Sequence, residues 1–118
     1  MSRQLKAERR LYPRIEHSLP VKIAANGYDF ATSTENISCV GAYCRISKYI
    51  PPFTRIAVKL SLPMRSADKV DNRDVECRGV IVRTEDNKDG GFNIAIFFNN
   101  MKNTQRQAIS KYINQLFP

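Results

Sequence analysis

Residues 19–34 read LPVKIAANGYDFATST and contain the clearest strand pattern of the chain. Apolar and polar residues alternate as far as Ala25, and the alternation resumes at Tyr28, after Asn26-Gly27. A period of two is typical of a strand with one buried face, and Asn-Gly between two such runs is a strong hairpin signal. The sequence therefore predicts two antiparallel strands joined by a tight turn, the second of them running into Asn36.

The same alternation predicts four more short strands, at residues 42–46, 55–62, 75–82 and 92–98. The polar stretch 63–73 has no alternation and is interpreted as a loop. Six short strands with tight turns favour a small antiparallel barrel over a flat sheet, because a barrel has no exposed edge strands.

The last part of the chain changes to helical spacing. The residues that recur at this spacing are Gln105, Ala108, Ile109, Tyr112, Ile113 and Leu116. Thr104-x-x-Gln107 resembles a capping box at the start of the helix. The predicted fold class is therefore all-β with one helix: a six-stranded antiparallel β-barrel with a C-terminal α-helix packed on it.

Length and composition fit one globular domain. The chain has 118 residues, of which 42% are hydrophobic and 25% are charged, which allows one modest core. Three cysteines form no CxxC pair, and His17 is the single histidine, so no metal site is expected and the thiols are expected to be reduced. The apolar runs are too short to span a membrane, and the polar N-terminus favours a cytoplasmic location.

The net charge of +8 is unevenly distributed along the chain. Half of it lies in residues 1–14, where Glu8 is the one acidic residue among Arg3, Lys6, Arg9, Arg10 and Arg14. Residues 1–9 have few apolar groups, so residues 1–14 are predicted to form a flexible basic arm ahead of a domain at 15–118. Such an arm is interpreted either as a localised anion site or as a solvated tail that aids solubility.

Two short motifs carry the chemistry of a binding site. The arm contains Arg9-Arg10-Leu-Tyr-Pro-Arg14, and the end of the second strand leads into Asn36-Ile-Ser38-Cys-Val-Gly41. Guanidinium groups bind phosphate and stack on flat rings. The amide and hydroxyl can hydrogen-bond the edge of a base, and glycine lets a ligand approach the main chain. This set of groups suits a compact, anionic ligand that contains a base.

An RxxxR motif followed by [D/N]xSxxG resembles the signature of the PilZ domain family, receptors for the bacterial second messenger cyclic di-GMP. The resemblance extends from Glu8 to about Phe117, and it includes GGFNIAIFF at residues 90–98 as the last strand and the closing helix. It implies that cyclic di-GMP is the ligand, that the protein is not an enzyme, and that the signal passes to an effector protein that the sequence does not identify.

The resemblance also implies which residues bind the ligand. Arg10 and Arg14 are expected to contact phosphates and ring faces, and Asn36 and Ser38 to hydrogen-bond one guanine. Gly41 is expected either to leave space for the ligand or to adopt a positive φ. Arg9 directly precedes the RxxxR motif, and relatives with arginine there resemble those that bind two stacked ligand molecules.

Two positions depart from the pattern of the family. Residue 36 is Asn where many relatives have Asp, so one acceptor oxygen replaces a carboxylate. Some relatives have an aromatic residue late in the fifth strand, where this chain has Val80-Ile81-Val82-Arg83. Arg83 is therefore a candidate for stacking or a phosphate contact, and the alternative is an ordinary exposed arginine at a strand end. Arg45 is a further, weaker candidate for ligand contact.

Other functions have less support in the sequence. Ser38 does not lie in a GxSxG motif, and no acidic cluster or phosphate-binding glycine loop indicates catalysis. One alternative is a small basic barrel that binds single-stranded nucleic acid, but the charge lies mainly in the arm, and most aromatic residues fit inward positions. A second alternative is a PilZ domain that acts only in protein interaction. No nucleic-acid partner and no membrane insertion are expected.

Overall fold

The computed structural model describes residues 15–16, 18–25 and 27–116. The predicted arm at 1–14, with Arg9, Arg10 and Arg14, lies outside the described residues. The elements in chain order are β1 (Pro20–Ala25), β2 (Tyr28–Ile37), β3 (Gly41–Ile46), β4 (Arg55–Ser66), β5 (Lys69–Asp86), β6 (Phe92–Asn100) and α1 (Asn103–Gln115).

The six strands close into a barrel, and each pairs with its neighbours in antiparallel fashion. The order around the barrel is β1-β2-β3-β6-β5-β4. In β1 the side chains of Val21, Ile23 and Ala25 are buried, while those between them are exposed. The alternation in the sequence thus marks the inward face, and the predicted all-β fold with a C-terminal helix is confirmed.

Helix α1 packs on the barrel through one face. Its buried residues are Ala108, Ile109, Tyr112 and Ile113, which join the core formed by the inward faces of the strands. The predicted capping box is wrong. The N-cap is Lys102, which makes no side-chain capping hydrogen bond, so Thr104 already lies within the first turn of the helix.

The loop predicted at residues 63–73 is also wrong. Strands β4 and β5 continue through this region as a paired ribbon, with Pro63 opposite Asn72 and Ser66 opposite Lys69. The turn contains Ala67, whose φ is 54°. Most side chains of this ribbon are exposed, so no buried face imposes the alternation by which a strand is recognised.

Aromatic residues of the described part of the chain face both ways, and Phe30 and Phe92 pack against the core in addition to the fully buried ones. Phe98 and Tyr112 are buried there, whereas Tyr49, Phe53 and Phe97 are among the exposed large hydrophobic residues. Tyr49 also packs edge-to-face against Phe92, with 5.4 Å between ring centroids. The surface therefore has more aromatic area available for stacking than the sequence pattern indicates.

Burial keeps the thiols of Cys44 and Cys77 protonated. Cys39, Cys44 and Cys77 are free thiols. Burial raises the pKa of Cys44 to about 12, helped by the charge of Glu35, and burial raises the pKa of Cys77 to about 11. Among the described helices, none is long and apolar enough to cross a membrane.

Candidate functional site

The NxSxxG segment (Asn36–Gly41) connects β2 to β3 as a tight, closed turn. The backbone N–H of Ser38 donates to the carbonyl of Gly41 at 2.9 Å. The Ser38 hydroxyl accepts a hydrogen bond from the N–H of Val40 at 3.2 Å, and Ser38 is one of the buried polar residues. Ser38 therefore shapes the turn, in addition to the ligand contact that the sequence predicts for it.

Two neighbouring elements hold this segment in place. In β6 the N–H of Phe98 donates to the carbonyl of Val40 at 2.9 Å. From α1 the Arg106 guanidinium donates to the carbonyl of Cys39 at 2.6 Å. Charge-assisted hydrogen bonds of this kind are stronger than neutral ones. The turn is thus fixed to both the barrel and the helix, and a ligand that meets it finds its main chain already positioned.

The residues just after the arm reach this same segment. Ile15 forms an isolated antiparallel bridge with Ile37, in which each N–H donates to the carbonyl of the other residue at 3.0 Å. Ile37 lies between Asn36 and Ser38. The chain therefore enters the described part of the domain directly beside the NxSxxG segment.

Gly41 lies where any side chain would collide with the main chain. A Cβ placed there would be 2.4 Å from the carbonyl oxygen of Ile96. Gly27, Gly90 and Gly91 have positive φ, whereas Gly41 does not. The expectation of a positive φ at Gly41 is therefore wrong. Close approach of β6 is enough to require glycine at this position.

A row of side chains crosses the outer face of four strands next to the segment. Asn36 of β2 is opposite Tyr43 of β3, which is opposite Ala95 of β6, and Ala95 is opposite Arg83 of β5. Ala42 and Cys44, on either side of Tyr43, are buried, so Tyr43 faces outward. Arg83 consequently lies on the same face as Asn36, at the far end of the row.

Glu85 links Tyr43 to Arg83. One carboxylate oxygen of Glu85 accepts from the Tyr43 hydroxyl at 3.1 Å and from Arg83 Nε at 3.1 Å. Partial burial is the main cause that raises the pKa of Tyr43, and the hydrogen bond and negative charge of Glu85 raise it further. Tyr43 therefore stays protonated at neutral pH, and its hydroxyl donates a hydrogen bond to the carboxylate.

Arg45 is engaged in a turn and lies further along β3. Its guanidinium donates to the carbonyls of Asp89 at 2.9 Å and Gly90 at 2.7 Å. These bonds hold the β5–β6 turn against β3, which gives Arg45 a structural role.

The structure thus brings Asn36, Ser38 and Gly41 into one turn, and places Arg83 on the adjoining face. Sequence reasoning missed Tyr43 and Arg106. The spacing Gly41, Tyr43, Arg45 was the available signal for Tyr43, because alternate residues of a strand share a face. No pattern in the sequence links Arg106 to Cys39, 67 residues earlier. Within the described ranges, no group of three His, Cys, Asp or Glu side chains is placed to hold a metal ion.

Comparisons with known proteins agree with this architecture. The family model described as PilZ domain matches residues 8–115. No match was found among curated proteins. Among solved structures, the inhibitor of motility MotI/DgrA of Bacillus subtilis has a TM-score of 0.79 at 18% identity. That alignment covers 90% of this chain and 50% of MotI, so the chain spans half the length of MotI.

Two further structures are PilZ domains of similar size. The PilZ domain of CeSA from a cellulose-synthesizing bacterium has a TM-score of 0.62 at 18% identity, with 88% of this chain and 97% of that one covered. The PilZ domain of YcgR from Escherichia coli, solved with c-di-GMP, has a TM-score of 0.58 at 15% identity, with 92% and 91% covered. At these identities the likeness concerns the fold.

Proposed function

The chain belongs to the PilZ domain family, and we propose that it is a cytoplasmic, non-enzymatic receptor for cyclic di-GMP. The ligand carries two phosphates and two guanines. A receptor must therefore neutralise charge and also recognise the edges and faces of purine rings. The two motifs of this chain provide groups for both tasks.

The observation that carries the proposal is the bridge between Ile15 and Ile37. Arg14 directly precedes Ile15 in the chain, and Ile37 is the second residue of the NxSxxG segment. The residue that follows the RxxxR motif is thus hydrogen-bonded to a residue of the NxSxxG segment, although the two motifs are separated in sequence. This supports a single pocket in which arginines of the arm face the amide, hydroxyl and main chain of the segment.

We assign the contacts as follows. Arg10 and Arg14 contact the phosphates and stack on ring faces, since a guanidinium does both. Asn36 and Ser38 hydrogen-bond one guanine, and Arg9 adds a third guanidinium that favours two stacked ligand molecules. Arg83 has its Nε bound to Glu85 and an exposed side chain, so its outer edge is the part available to a ligand.

Thermal unfolding with and without ligand tests the proposal. A ligand that binds only the native state stabilises it by RT ln(1 + [L]/Kd), about 2.7 kcal/mol at a hundredfold excess over Kd. For a domain of this size, that corresponds to a rise in Tm of roughly several degrees. GTP at the same concentration is the control, and we expect it to give a much smaller shift.

A second candidate is favoured by the exposed aromatic residues Tyr49, Phe53 and Phe97. Bases of single-stranded nucleic acid stack on such side chains beside basic grooves. The same unfolding experiment with a short oligonucleotide separates the two functions. A clear shift with the oligonucleotide and none with cyclic di-GMP would reverse our assignment.

We further propose that ligand binding orders the arm, residues 1–14, and thereby creates a surface for an effector protein. The ligand would pull Arg9, Arg10 and Arg14 together, and its differential affinity for the two arm states would supply the coupling free energy. Amide exchange of residues 1–14 is expected to slow markedly when cyclic di-GMP is added. Equal exchange in the free and bound protein would show that the signal leaves by another route.

A further inference from the structure

The outer face of β3, β6 and β5 carries an aromatic ring beside the NxSxxG segment that no motif of the family signature includes. Tyr43 is opposite Asn36 on one side and Ala95 on the other. Neighbouring strands are roughly 4.8 Å apart, so the Tyr43 backbone lies one strand spacing from that of Asn36. It is also two residues along β3 from Gly41.

The hydrogen bond of Tyr43 determines where its ring lies. Its hydroxyl reaches Glu85 of β5, which is two strands away from β3, with β6 between them. The side chain must therefore extend across β6. The residue opposite Tyr43 on β6 is Ala95, whose single methyl group leaves room for an aromatic ring to lie along the sheet.

Glu85 keeps this arrangement in one position. The same carboxylate oxygen accepts from Tyr43 and from Arg83, so the ring and the guanidinium are joined through one acceptor. A tyrosine has two side-chain torsions, and a hydrogen bond at its far end restricts both. Little further ordering would then be needed when a flat ligand binds.

From this geometry we propose that Tyr43 is a stacking residue for a purine base of the ligand, and that Glu85 positions it. The proposal rests on the function proposed above. The amide of Asn36 would bind the edge of a base while the ring of Tyr43 supports a base by its face. Arg83, at the end of the row, extends the same platform. Stacking on an aromatic side chain typically accounts for roughly ten- to a hundredfold of affinity.

Calorimetric titration with cyclic di-GMP tests the role of Tyr43. We expect Tyr43→Leu, which keeps apolar volume and removes the ring, to weaken binding at least about tenfold. Tyr43→Phe keeps the ring and loses the bond to Glu85, so a loss of about two- to threefold is expected. Glu85→Ala, which removes the acceptor of the Tyr43 hydroxyl, should resemble Tyr43→Phe. The control is Val70→Ala, a loss of apolar side chain at an exposed position of the ribbon formed by β4 and β5, which should bind as the wild type does.

A second readout separates stacking from a structural role. In the complex with wild-type protein, the guanine H8 proton is expected to move upfield in the NMR spectrum because of the ring current, and this shift should shrink in Tyr43→Leu. If Tyr43→Leu bound cyclic di-GMP as tightly as the wild type does, the proposed role of Tyr43 would be wrong and the proposed receptor function would be unaffected. A wild-type chain that binds no cyclic di-GMP would overturn both proposals.

Discussion

Gly41→Ala is expected to destabilise the protein in the absence of any ligand. The new Cβ would lie 2.4 Å from the carbonyl oxygen of Ile96, and this neighbour is main chain that cannot rotate away. Strands β3 and β6 would have to separate where Gly41 is opposite Phe97. Overpacking of this kind costs about 3 kcal/mol, which lowers Tm by roughly 10 °C in a domain of this size.

Urea unfolding followed by circular dichroism measures this effect without involving the binding site. The matched control is Gly27→Ala, because a Cβ at Gly27 meets nothing within 4 Å. Its cost arises only from the positive φ of 85° and should be roughly 1 kcal/mol. If Gly41→Ala were as stable as the wild type and only bound ligand less well, the glycine would serve the ligand instead of the packing of β3 against β6.

At Gly41 the position could be predicted from the sequence, but the reason for the glycine could not. The motif singled out a glycine that the packing of β3 against β6 requires, and its role toward a ligand stays a prediction. The cause lay in a partner 55 residues further along the chain. Pairing of β3 with β6 is a property of the barrel, and no local pattern states which carbonyl will approach a given residue.

The strands were predictable wherever one face is buried. In β1 and β3 the inward residues alternate strictly with the outward ones, and this is the pattern that the sequence displays. The ribbon formed by the ends of β4 and β5 has no buried face over most of its length. Because both faces of the ribbon are exposed to solvent, polar residues occur on both, and this pair of strands has the composition of a loop.

The residues of the candidate site could be predicted from its motifs, but the contacts that hold these residues in place could not. Asn36, Ser38 and Gly41 lie within one short segment of the sequence, so their proximity can be predicted without knowing the fold. The bond from Arg106 to Cys39 and the link from Tyr43 to Arg83 through Glu85 each join elements distant in the chain. Arg45 was a weaker candidate for ligand contact, and its bonds to the β5–β6 turn could not be predicted without the position of that turn.

Arg14→Ala is expected to weaken binding of cyclic di-GMP by roughly ten- to a hundredfold. Loss of one charge-assisted contact costs about 1.5–3 kcal/mol. We expect little change in the free energy of unfolding, because arginines of the arm are proposed to serve the ligand and not the core. Titration calorimetry gives the affinity, and urea unfolding of the free protein gives the stability.

Two comparisons identify what Arg14 contributes. Arg3→Ala removes the same charge from the arm outside the RxxxR motif, and it should change the affinity by about twofold or less if general attraction is screened at physiological salt. Arg14→Lys keeps the charge and loses the planar fork, so its affinity should lie between those of Arg14→Ala and the wild type. If Arg14→Ala instead lowered the stability and left the affinity unchanged, Arg14 would be a structural residue. If Arg3→Ala cost as much as Arg14→Ala, the arm would attract the ligand by charge alone and the motif spacing would carry no specificity.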